Sequence, residues 1–448
     1  MPIDATPRNA AHLWRRAAFG ATAQQIDQTV ADGIEATVEA MFDHRRAVDA
    51  GKPVRHVGVQ GFETPHLNTW FIRLGVTSPT PAIERLVWFW HGHFAVNTDK
   101  FENTEILYGQ LMHFRRYGLG RFDDLLKLVT RDPAMILWLD LHTSVIGNPN
   151  ENYARELMEL FSLGVDGGYT QRDVVEAARA FTGYTVIGER PPRPEVLPAL
   201  HDDGVKTVLG ETGNLTGDDV IDLIVRRPEC HRFIAGRLWY RYAGTTPSAA
   251  VLDELAAAFA ERLVIKDLVI AMFTHPAFYA DEVIDGLVAQ PVETTINALR
   301  GFGVDPFDVT RFELTDDDEI VELGAFPWWV SLEMLEDMGQ YLAHPPNVGG
   351  WPHNEAWLDT TRSIGRLNAG IRFGREIVEA DVDLVRAIEA EADPRRAAAR
   401  ILQAFGQVEW SAETEAAIVA ALTGPDDDAG PIANAIAIAF TSPEVTLS

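Results

Sequence analysis

Helix start signals recur along this chain from end to end, while strand signals gather in one short stretch. Thr6-Pro7 offers an N-cap followed by proline at the first helical position, where a missing N–H costs nothing. Thr22 can cap a second helix running through Phe42. Thr170-Gln171-Arg172-Asp173 and Thr216-Gly217-Asp218-Asp219 have capping-box form, each ahead of apolar residues at helical spacing. Alanine-rich stretches at 247–260, 366–391, 395–406 and 411–422 carry the same 3.6-residue period. Leu125–Met135, Leu268–Phe278 and Ala435–Val445 share an apolar helix end, then Thr, one residue (two in the first) and Pro. Proline disfavours the α conformation in the residue before it, so each predicts a helix stop and a new first turn. Strand character appears at Thr185-Val186-Ile187 and at Val205–Leu209, beside the Asp203-Gly204 turn. The expected fold class is therefore all-α, a two-lobed helical body with one small β-hairpin near residues 184–210. The proline-rich stretch at 190–194 predicts a loop or seam, which gives an N-terminal lobe (1–190), a hairpin connector (191–215) and a C-terminal lobe (216–448).

Composition narrows the function classes. With 46% hydrophobic residues, including 11 Trp and 22 Phe, the chain can bury a large core. A net charge of −28 repels nucleic-acid phosphates and anionic lipid, so no nucleic acid and no membrane insertion are expected. No apolar run approaches the roughly 20 residues that a membrane span needs. Cys230 stands alone, which excludes an internal disulfide and a cysteine-rich zinc or iron–sulfur site, and its apolar sequel predicts an inert, buried thiol. Arg15-Arg16 is not followed by a hydrophobic region, so the expectation is a soluble cytoplasmic protein without its own export signal. Nucleotide-loop, haem-attachment and metalloprotease motifs are missing, which leaves a divalent or redox metal as the open cofactor class.

Four segments place polar residues among apolar ones. In Glu84–Asn97, His93 sits on the edge of an apolar helical stripe, and His91 lies about 200° around from it. The two can share a metal only if Gly92 breaks the helix. In the segment from Asn148 to Gly168, Tyr153, Leu157, Leu160 and Phe161 form one face, and Asn152, Glu156, Glu159 and Leu163 another, with Arg155 beside it. Carboxylates at such spacing can bind a metal or act as acid and base; the simpler reading is a solvated face balanced by Arg155. His201-Asp202-Asp203-Gly204 suits a metal or base site, and equally an Asx-turn. The loop Pro345–Trp357 can wall a pocket with Trp351, His353 and Trp357, or serve only as a connector.

The stretches at 12–22 (HLWRRAAFGAT), 89–96 (FWHGHFAV), 150–184, 201–210 and 345–352 (PPNVGGWP), in this order, resemble the bacterial family catalogued as domain of unknown function 1800. The resemblance spans nearly the whole chain and makes Arg15-Arg16 part of a family motif. It implies no defined chemistry. It does imply a sulfatase-like partner, of the family called domain of unknown function 1501, and co-export with it.

Two readings follow. In one, the chain is an enzyme whose site gathers His91 or His93, Glu156, Glu159 and His201, with Arg155 orienting carboxylates or an anionic substrate. In the other it is a non-catalytic scaffold or partner subunit, and the same motifs are buried networks that fix helix register. A carbohydrate or peptide binder using Trp351 and Trp357 is a third.

Overall fold

The computed structural model describes residues 3–46, 64–101, 103–188, 192–284, 286–306, 312–314, 320–322, 328–425 and 428–447. Helices dominate it, as the capping signals require. Thr6 accepts from the Asn9 N–H and starts Pro7–Ala17. Capping boxes at Thr170 and Thr216 start Gln171–Ala180 and Gly217–Val225. Each of the three stops, Thr130 to Pro133, Thr274 to Pro276 and Thr441 to Pro443, begins a new helical turn, capped by Asp132, His275 and Ser442.

Departures from expectation have local causes. The helix begun by the Thr22 box ends at Asp32, because Gly33 takes φ +91°, a left-handed value glycine tolerates, and a separate helix runs Ile34–Met41. The single expected hairpin is two ribbons. Strand β1 (Tyr184–Ile187) pairs antiparallel with β2 (Arg193–Val196), so Pro194 lies in a strand opposite Val186 rather than in a loop. Strand β3 (Lys206–Val208) pairs with β4 (Glu211–Gly213) through Leu209-Gly210, both at positive φ, as a tight hairpin turn needs. Asp203-Gly204 is not that turn. A third short ribbon joins β5 (Phe312–Leu314) and β6 (Ile320–Glu322). Residues 190 and 191, at the expected lobe boundary, lie outside the described residues.

One continuous cluster of buried apolar side chains runs from Leu13 to Val445, crossing that boundary. At its heart lies Pro81–His93, all 13 residues of which are buried. The expected apolar stripe is thus only part of a helix enclosed on every side, and its polar members must find partners inside. Glu84 accepts from Arg115 Nε at 3.0 Å and from Ser78 Oγ at 2.9 Å. Arg85 pairs with Glu293 at 2.5 Å. Trp88 and Trp90 donate their indole N–H to Gln290 Oε1 and the Gly118 carbonyl. Cys230 is fully buried, and burial pushes its thiol far up, so it packs as an inert group.

Candidate functional site

The enclosed helix ends against a loop, and a cavity forms where a second helix meets them. The Pro81–His93 helix contributes Phe89 and His93. Arg237, Tyr240 and Arg241, spaced i, i+3, i+4, share one face of Pro228–Ala243. The loop after Leu342 adds Gly349, Trp351 and His353, and these residues together line a space of about 60 Å³. That is several times what one water needs. Phe89, His93 and Trp351 are buried and form its floor; Tyr240 and Gly349 are exposed and mark its mouth.

The loop sits hard on the helix. Gly350 has φ +84°, and a Cβ there would lie 2.3 Å from the Gly92 carbonyl oxygen, so only glycine permits this backbone-to-backbone approach. Asn354 pins the loop further, accepting from the Val288 N–H at 2.9 Å and donating to the Gly244 carbonyl at 3.0 Å. Trp351 stacks on Trp88 with centroids 4.4 Å apart and meets His91 edge-on at 5.0 Å.

Hydrogen bonds fix the imidazole tautomers. His93 Nε2 donates to the Phe161 carbonyl at 3.0 Å, and His91 Nε2 to the Leu342 carbonyl at 2.8 Å. A carbonyl can only accept, so each Nε2 carries the proton and each Nδ1 presents a lone pair. Both Nδ1 atoms are buried and have no partner among the described residues. Burial holds His91 down at about 4. Burial, aided by the nearby Arg237 guanidinium, holds His93 at about 3. His353 donates from Nε2 to the Tyr240 carbonyl at 2.7 Å and accepts from Arg241 Nη1 at 3.1 Å. Burial and the Arg241 charge hold it at about 3. All three rings are therefore neutral at ordinary pH.

The guanidiniums are the site's unbalanced element. Arg241 is buried and brought down to about 10, first by burial and then by the charges of Arg85 and Arg237. Arg237 is lowered by burial too, and among the described residues it has no hydrogen-bond or ion-pair partner. Arg85 takes Glu293 and lies over the Tyr242 ring at 5.0 Å. Three guanidiniums thus gather around one carboxylate, inside a chain of net charge −28. Uncompensated charge in a low-dielectric pocket is costly, and an anion entering it would offset that cost.

Of the residues that sequence reasoning singled out, His93, Trp351 and His353 line this cavity, and His91 packs behind Trp351. Others are engaged elsewhere. The helix continues unbroken through Gly92, so His91 and His93 reach different carbonyls. His201 Nδ1 donates to the Thr182 carbonyl at 3.0 Å. Asp202 accepts from Arg179 Nε and from the Gly204 N–H, each at 2.8 Å, which is the Asx-turn alternative. Among the described residues no three His, Cys, Asp or Glu side chains are placed to hold a metal ion, so His91, His93 and His201 do not make one ligand set.

Glu156 lies at the end of Asn152–Glu156, where the helix widens into a π-helical stretch, Leu157–Ser162. This extra residue per turn carries Leu163 into the core, away from the stripe expected with Glu159. Glu156 is half-buried and its carboxyl is raised, by burial first and then by Glu159. Arg155 turns to Glu151 and Gln171, each at 2.9 Å. Asn152 donates to the Leu139 carbonyl at 3.2 Å. Trp357 is buried and donates to the Pro352 carbonyl at 2.9 Å.

Arg237 and Arg241 were not legible as site residues. Their one signal is a pair of arginines at i, i+4 within the otherwise apolar run 233–242. A larger cavity of about 310 Å³ lies between Arg8, Arg15, Trp410 and Glu444, but its charges are answered within the protein. Arg8 pairs with Asp281 at 2.6 Å, and Glu444 accepts from Ser411 and Thr414.

A family model described as "Protein of unknown function (DUF1800)" matches residues 12–447. No curated protein and no solved structure matches the chain. Among the described residues no helix is long and apolar enough to cross a membrane.

Proposed function

This chain belongs to the family of proteins of unknown function DUF1800, and we propose that it captures the anionic end of a small molecule in the cavity between Arg237, Arg241 and His93. The observation that carries this reading is Arg237, a half-buried guanidinium lining a cavity in which no carboxylate of the described residues meets it. The ligand's head group is a carboxylate, phosphate or sulfate, which two guanidiniums can grip with several charge-assisted hydrogen bonds. Its remainder extends past Tyr240 and Gly349 to solvent. Such a site serves a binding protein or an enzyme alike.

Thermal unfolding with added small anions tests this. A ligand at about 100 times its Kd adds about 2.7 kcal/mol, roughly 3 °C for a chain of this length. Arg237→Met separates binding from structure. A guanidinium without a partner contributes nothing to the fold, so the variant is expected to melt at or above the parent's temperature while losing the anion effect. A variant that melts several degrees lower and keeps the anion effect would make Arg237 a structural residue.

A second reading, a partner subunit, is favoured by one observation. Ile364, Leu367 and Ile371 stand exposed along Thr360–Glu379, at a spacing that places them on one face. Binding of the sulfatase-like protein implied by the family resemblance, weakened by Leu367→Glu, is its measurement.

A further inference from the structure

Resting on the anion-binding reading, we infer that the ligand is an oxyanion carrying its own O–H donor, and that this hydroxyl donates to His93 Nδ1. Two residues that line the cavity each carry a buried polar atom, and the two atoms are of opposite kind. Trp351 Nε1–H can only donate, His93 Nδ1 can only accept, and neither has a partner among the described residues. His93 is 3% exposed and its other ring nitrogen is committed to Phe161, so Nδ1 is the one polar atom of that ring left for a ligand. Arg237 and Arg241 supply only donors. A plain carboxylate or sulfate would satisfy the guanidiniums and the indole and leave the imidazole lone pair facing acceptor oxygens.

An anion that also bears a hydroxyl satisfies every group at once. Two chemistries present that pair within a small volume: a 2-hydroxycarboxylate, and a phosphate retaining one proton. Burial and two neighbouring guanidiniums disfavour charging His93, so the ring meets the ligand as an acceptor.

Titration calorimetry on the unmodified protein at pH 5.5 decides this with two matched pairs: glycolate against acetate, and inorganic phosphate against sulfate. In at least one pair the hydroxyl-bearing member is expected to bind about tenfold tighter or more, since a site built to accept a hydroxyl discriminates against its absence. The pair that discriminates identifies the source as hydroxycarboxylate or acid phosphate. In His93→Phe, which keeps an aromatic ring among Phe89, Trp90 and Phe94, that preference is expected to vanish while the weaker anion still binds. Equal affinities within both pairs would overturn the inference and leave the anion pocket standing. Absence of binding by all four anions would remove the pocket reading itself. Should His93→Phe not fold, the matched pairs alone still decide.

Discussion

Gly92 sits inside the last turn of a fully buried helix, where alanine would ordinarily be the better residue by about 1 kcal/mol. A Cβ at that position would lie 3.0 Å from Arg241 Nη2 and 3.8 Å from Trp351 Cε3. The first contact is with the tip of a flexible side chain, so the fold can absorb it, but the guanidinium would be pushed off its place. Gly92→Ala is therefore expected to hold or raise stability, by up to about 1 kcal/mol, and to weaken anion binding. Gly350→Ala should do the reverse of a mild change. Its Cβ would strike backbone at 2.3 Å, and its φ of +84° is strained for any L side chain, so about 2 kcal/mol or more is expected to be lost. Denaturant midpoints and anion titrations on both variants give the comparison. At this scale the sequence was legible where a rare side chain stood among apolar ones, as with His93, Trp351 and His353. It was silent on Arg237 and Arg241, because an arginine on a helix ordinarily faces water, and only the arrival of the 345–353 loop encloses these two.

Among the elements, the enclosed Pro81–His93 helix has the most to lose from an unpaired charge. Glu84 is fully buried, with both oxygens on Arg115, whose side chain is 9% exposed. Removing one member of such a pair leaves the other charged and dry, which costs roughly 3–5 kcal/mol. Arg115→Met, which leaves Glu84 with only the neutral Ser78 hydroxyl, is expected to fall in that range by chemical denaturation. The double substitution Glu84→Gln with Arg115→Met is expected to recover most of the loss, because no bare charge then remains. A single variant within 1 kcal/mol of the parent would mean that the pair is solvated. Helix starts were readable in advance because capping is settled within four residues, as at Thr170 and Thr216. The π-helical stretch at Leu157–Ser162 was not, since its register answers to packing against distant residues: the Phe161 carbonyl it positions is the one His93 bonds. The pairing of β2, with Pro194 in it, was hidden for the same reason.

For the molecule as a whole, the charge states of buried histidines set the response to acid. His12, His91 and His93 are at most 3% exposed, and burial is the first cause lowering each below the ordinary value. In the unfolded chain each titrates near 6.5. Between that value and the depressed folded one, the unfolded state takes up protons that the folded state refuses. The stability these rings contribute is thus complete above about pH 6.5 and is lost as pH falls toward the folded value. By pH 5 the loss is about 2 kcal/mol each for His91 and His93, and His12 and His353, both lowered chiefly by burial, add to it in the same direction. Carboxylates whose folded pKa is raised, such as Glu84, Asp132 and Glu156, act in the opposite direction: the folded state takes up their protons above the ordinary carboxylate range and so returns part of this loss. The net change between pH 6.5 and 5 is therefore the histidine loss less what these carboxylates return. Because one apolar cluster joins residue 13 to residue 445, the loss is expected in a single cooperative transition. Urea unfolding at pH 7.0, 6.0 and 5.0 measures it, and His91→Phe should reduce the slope by about one proton. Stability that is flat across this interval would place these rings in contact with water, and with them the neutral His93 lone pair on which ligand discrimination depends.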